Sequence, residues 1–156
     1  MLIDLFTLAR VVHVTALVGW IGGVWFVTFV VMPAIVRSEA PDRRLEAFHR
    51  IEAGFAPQAR FWVLLAGASG FWMTWQADLW GRFAQVDMWW MHAMLGLWLV
   101  FFMMLFVAEP LVLHRRMARS PSPARDFQRM VLLHRLLSAL ALVTVLGAMA
   151  GAHGLI

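Results

Sequence analysis

The sequence predicts an all-α integral membrane protein: an antiparallel four-helix bundle with a short interfacial helix on its cytoplasmic side. Three observations predict it. Hydrophobic residues make up 62% of the 156 positions and charged residues only 14%, more apolar surface than one soluble core of that size can hide. Charged residues divide the chain into four apolar stretches, each long enough for the roughly 20 residues that cross a hydrocarbon core. The arginines crowd into two of the intervening loops.

The first stretch, about residues 8–36, is longer than the core of a signal peptide and lacks a basic leader or a small-residue cleavage site, so it is taken as a span. Residues 42–56 follow, where Leu45, Phe48, Ile51 and Phe55 fall at helical spacing among Arg43, Arg44, Glu46, Arg50 and Glu52. That pattern predicts a separate amphipathic helix lying on the membrane surface. The second span covers about 61–80 and the third about 88–114, with Glu109 and Pro110 marking a kink or an interfacial boundary near its end. Ser120, Pro121, Ser122 and Pro123 form a turn, and Ser122 with Pro123 suits an N-cap and first helical position for the helix whose span covers about 130–156. Small residues recur four apart, at Gly19 and Gly23, Ala66 and Gly70, and Gly147 and Gly151. Such spacing is expected to let helix backbones approach closely.

Eleven of the thirteen arginines lie in the loops after the first and third spans or in the helix ends beside them, leaving only Arg10 and Arg82 for the other side. The positive-inside rule then places those loops in the cytoplasm, and both termini and the Gly81–Asp87 loop on the periplasmic side of a bacterial inner membrane. This clustering in loops, with a net charge of only +4, also excludes a nucleic-acid-reading face despite the pI near 11.5.

The chain has no cysteine, lysine or tyrosine, which excludes disulfides, iron–sulfur clusters, thiolate metal sites, Schiff bases and tyrosyl radicals. Histidine, methionine, tryptophan and a few carboxylates remain. No carboxylate pairs with a histidine at a hydrolytic spacing. His49, His114 and His134 fall among the cytoplasmic arginines as interfacial residues. His13, His92 and His153 instead form one layer, within about 4 to 8 Å of the periplasmic boundary at roughly 1.5 Å per residue. Imidazoles at that depth are costly without a partner or ligand.

Two ligands suit this layer. Heme b needs neutral imidazoles on facing helices, an apolar slot and polar groups for its propionates. His13 and His92 match the first requirement, Gly96 one turn beyond His92 leaves room for a macrocycle, and Arg10 lies one turn outward from His13. Trp20, seven residues after His13, is equally a cofactor wall or a core tryptophan. Copper is the alternative, since His13, His92 and His153 with the thioethers of Met91 and Met94 make a soft site. A third reading is an accessory subunit of a larger membrane complex that binds no cofactor. Beyond the lipid bilayer, the expected partners are a membrane redox protein or quinone, a second copy of the chain, or a larger assembly.

His13 followed by Trp20-Ile21-Gly22-Gly23 resembles the first-helix signature of the copper resistance D (CopD)-like membrane proteins and of HemJ-type protoporphyrinogen oxidases. The segment Trp89-Trp90-Met91-His92-Ala93-Met94-Leu95-Gly96 is similar to their second shared motif, and Arg129 to Arg135 fits the CopD-like group. The resemblance implies a four-helix membrane bundle whose relatives bind heme b or are associated with copper uptake, with His13 and His92 at the family's histidines. HemJ-type proteins have a lysine where this chain has Met94, which points away from protoporphyrinogen oxidation.

Overall fold

A computed structural model describes residues 4–113 and 121–155, the last four of the first stretch by backbone alone. His114, Arg115, Arg116, Arg119, Ser120 and Ile156 lie outside the described residues. Every regular element among the described residues is helical. The first helix, α1, runs Leu5–Ser38 and is capped by the Asp4 carboxylate, which accepts from the Phe6 and Thr7 amides. The Thr7 hydroxyl and then these amides hold the Asp4 carboxyl below the usual carboxylate range. Within α1, Val27–Val31 is π-helical, just ahead of Pro33. Proline lacks the N–H that closes a helical turn and its ring crowds the preceding carbonyl, so the wider turn relieves the clash.

The second helix, α2, is continuous over Arg44–Gln76. The expected surface helix is therefore the first half of α2 and not a separate element. Its apolar face covers protein: Leu45, Ala47 and Phe48 are buried with Met32 and Ile35 of α1 and with Phe127 and Met130. Amphipathic spacing reports that one face leaves water, without reporting what receives it. Pro57 does not break α2, because it and Ala53, whose carbonyl it leaves unbonded, are both exposed. The helix ends before the expected residue 80, since Asp78 turns left-handed at φ 49°, a conformation aspartate tolerates. Two 3₁₀ turns, Leu79–Ala84 and Val86–Met88, lead on.

The third helix, α3, is α-helical over Trp89–Met103 and π-helical over Met104–Leu113. Pro110 again explains the wide turn. In π geometry its missing N–H would have met the Leu105 carbonyl, and Arg60 Nε of α2 donates to that carbonyl instead, at 3.2 Å. The last helix, α4, runs Pro123–Ala152, with Ser122 immediately before it as expected.

Three helical stretches, Leu5–Ser38, Val86–Glu109 and Pro123–Ala152, are long and apolar enough to cross a membrane. The second helix is as long but less apolar, because charges fill its first half and glycine, serine and tryptophan dilute its second. The exterior resembles the interior. Val11, Val14 and Val18 on α1 and Leu132, Leu136, Leu140 and Leu146 on α4 are all at least half exposed except Val14, at 49%. Such faces suit lipid as solvent.

All four helices contribute to one apolar cluster, with Ala16, Trp20 and Val24 meeting Val63 and Ala66, Leu97 and Phe101, and Leu137 and Ala141. Contacts between α1 and α2, and between α2 and α3, run in opposite senses. A Cβ at Gly19 would meet Trp62, one at Gly23 Phe55, and one at Gly67 Trp98. Arg60, farther back on α2, reaches Leu105 and Glu109. The small residues thus serve a different purpose from the one expected. Gly19, Gly23, Gly147 and Gly151 are seats for the rings of Trp62, Phe55, Trp89 and Trp90, so an indole or phenyl lies on the helix surface where backbone-to-backbone contact was anticipated.

Candidate functional site

The helix register brings His13, His92 and His153 to one end of the molecule. His13 sits against Ala66, Ser69 and Gly70 of α2. Trp98 donates to the Val63 carbonyl and lies over Gly67, so His92, six residues earlier, reaches about the level of His13. Trp90 over Gly151 brings the end of α4 to the same level.

The three rings nevertheless face different ways. His13 turns inward to α2, where its Nδ1 is 2.9 Å from the Ala66 carbonyl and 3.1 Å from Ser69 Oγ. A carbonyl only accepts, so Nδ1 carries the proton and Nε2 presents its lone pair. Ser69 gives its own proton to the Leu65 carbonyl at 2.6 Å and is left to accept. Gly70 makes the arrangement feasible, for a Cβ there would stand 3.0 Å from His13 Cε1. His92 is exposed and meets the Phe83 ring at 5.4 Å in a T-shaped contact, and a Cβ on Gly96, one turn on, would meet nothing within 4 Å among the described residues. His153 is exposed at the end of α4 and folds back so that Nδ1 meets the Met149 carbonyl at 2.8 Å.

The other sequence-predicted residues scatter. Arg10 is exposed over the ring of Phe6 at 5.1 Å. Trp20 is 2% exposed, meets Phe101 edge-on at 5.0 Å, and its Nε1 has no hydrogen-bond partner among the described residues. Met91 is buried while the adjacent His92 is exposed, and Met94 is half-buried. Among the described residues no three of the histidines and carboxylates are grouped to hold a metal ion.

A second region, at the arginine-rich end, was not anticipated. A cavity of about 290 Å³ lies between the helices, walled by Trp20, Phe48, Phe55 and Phe101 and edged by Glu52, Glu109 and His134. Glu109, which the sequence marks only as a helix boundary, is paired with Arg60 at 3.1 Å and its side chain is 12% exposed. Glu52 is paired with His49 at 3.1 Å. His134, expected to be merely interfacial, gives Nδ1–H to the Met130 carbonyl at 3.0 Å and packs edge-on against Phe48. Its arginine-flanked position concealed this, and no spacing in the sequence signals a ring turned back along the helix.

No family model matches the chain, and no curated protein or solved structure is significantly similar to it.

Proposed function

We propose that the protein is a four-span protein of the bacterial inner membrane, with periplasmic termini, that binds heme b near its arginine-poor end and has an electron-transfer role. In this reading α2 is the remaining span, and the antiparallel contacts complete a four-helix bundle. Eleven arginines against two support the orientation.

The observation that carries the cofactor assignment is the anchoring of His13. Metal-bound histidines characteristically give their second N–H to a carbonyl or carboxylate, which fixes the tautomer and aims the other nitrogen. Ala66 and Ser69 do this for His13, and Gly70 leaves space for the ring. His13 is therefore a residue that would hold the heme iron through Nε2. The residues do not fit a single macrocycle clamped between His13 and His92 of the same chain, because His92 stands outward beside open Gly96. His13 is thus assigned as the ligand, and Arg10, exposed one turn outward, as the cation available to a propionate. When bound, the heme supplies a one-electron iron couple. The resemblance to CopD-like and HemJ-type proteins supports the same residue.

The test is an absorption spectrum of the detergent-purified protein before and after dithionite. A Soret band is expected, lost in His13→Ala and kept in His92→Ala. A colourless preparation that contains copper, released by Met91→Leu or Met94→Leu, would overturn the heme reading in favour of copper handling.

A further inference from the structure

The cavity at the arginine-rich end has features of a binding site unconnected with His13. Helix interiors close-pack, so a space of this size among four helices is one where an apolar occupant would gain contacts with every wall. Small side chains create this one, with Ala56 and Ala59 on α2 and Ala108 on α3 standing where larger residues would close it. Its volume of about 290 Å³ is at the lower end of the range for small-molecule pockets. Ile51 and Leu133 also line it and are 44% and 40% exposed, so its wall includes side chains of the apolar exterior.

The lining restricts the chemistry of the occupant. Both carboxylates already have partners inside the protein, Glu52 in the His49 ring and Glu109 in the Arg60 guanidinium, so neither is left to hold a charged ligand. Four aromatic side chains form the walls, which suits a planar ring. His134 has spent Nδ1–H on the Met130 carbonyl, leaving Nε2 as an acceptor for a hydroxyl. An uncharged flat ring, bearing oxygen and arriving from the bilayer on an apolar tail, satisfies each of these conditions.

We infer that this cavity binds the ring of a membrane-borne quinone or its quinol, with His134 accepting from the quinol hydroxyl. The site does not depend on the heme assignment. Its test therefore uses the whole protein in detergent, titrated with decylubiquinone before and after reduction to the quinol, with calorimetry as the readout, and is repeated on His13→Ala. Saturable binding is expected in both proteins. Ala56→Phe, which fills the cavity, should weaken it at least tenfold. His134→Leu, which keeps the volume, should weaken the quinol severalfold more than the quinone and guards against misfolding of the filled variant. Absence of saturable binding to the wild type, wild-type affinity for quinone and quinol in both variants, or displacement of the quinone by palmitate at matching concentrations would overturn the inference, the last by identifying an acyl-chain site.

Discussion

Gly22 and Gly23 are neighbours on α1, yet the packing around them differs sharply. A Cβ at Gly22 would meet nothing within 4 Å among the described residues, whereas one at Gly23 would come within 2.3 Å of Phe55 Cζ and 2.8 Å of Cε2. Glycine-to-alanine substitution raises helix propensity by up to about 1 kcal/mol at either position, so that contribution cancels when the two variants are compared. What remains is overpacking against the phenyl ring, which costs about 1 to 3 kcal/mol where side chains must shift. Gly23→Ala should accordingly be less stable than Gly22→Ala by roughly 5- to 150-fold in the unfolding equilibrium, at about 1.4 kcal/mol per decade. Circular dichroism during dodecyl sulfate titration of the protein in mixed micelles measures it. Phe55→Leu, which removes the ring, should recover much of the loss in the Gly23→Ala background. Equal midpoints for the two alanine variants, or a greater loss for Gly22→Ala, would refute the reasoning that glycine here serves as a ring seat.

Four other outcomes are expected. Arg60→Leu strands a Glu109 side chain that is 12% exposed and removes the donor to the Leu105 carbonyl; it should cost about 1 to 3 kcal/mol, and adding Glu109→Leu should restore part of this in the same titration. Thr28 gives its proton to the Val24 carbonyl and meets Ser138 Oγ at 2.9 Å, with Ser138 fully buried. Thr28→Val should therefore cost about 1 kcal/mol, and the double change with Ser138→Ala should cost less than the two single changes combined. Trp98→Phe loses the 2.8 Å bond to the Val63 carbonyl and should destabilise by about 1 kcal/mol, read from its unfolding midpoint. Because the Asp4 carboxyl is held low, its support of the first turn of α1 is present above the ordinary aspartate pKa of about 3.9 and fades as pH falls through the lowered value. The protection of the Phe6 and Thr7 amides against exchange, taken relative to the intrinsic rate at each pH, should fall on that acid limb, and Asp4→Asn should abolish the dependence.

The existence of the helices was legible because each is stabilised largely by its own composition: apolar runs for α1, α3 and α4, Ser122-Pro123 for the start of α4, and Glu109-Pro110 for the altered turn in α3. The boundary between a surface helix and α2 was not legible, since the Leu45 and Phe48 face reads the same whether lipid or Phe127 and Met130 cover it. That His13, His92 and His153 fall toward one end of the helices was legible, because rise per residue converts position into height along a helix. The direction each ring faces was not, because it depends on which neighbour packs on which side. His13 meeting Ala66 and His92 standing outward are equally compatible with the same helical spacing.

Sequence alone determined that this chain is helical, apolar enough for membrane and asymmetric in its arginines, since hydropathy and charge act residue by residue and need no partner to be felt. Only tertiary structure decided that glycines hold aromatic rings, that Arg60 serves both Glu109 and the carbonyl left open by Pro110, and that Phe48, Phe101 and His134 surround a cavity. Those are relations between residues as many as 86 positions apart, and the choice among them is made by shape and hydrogen-bond satisfaction when helices pack, which no local pattern records.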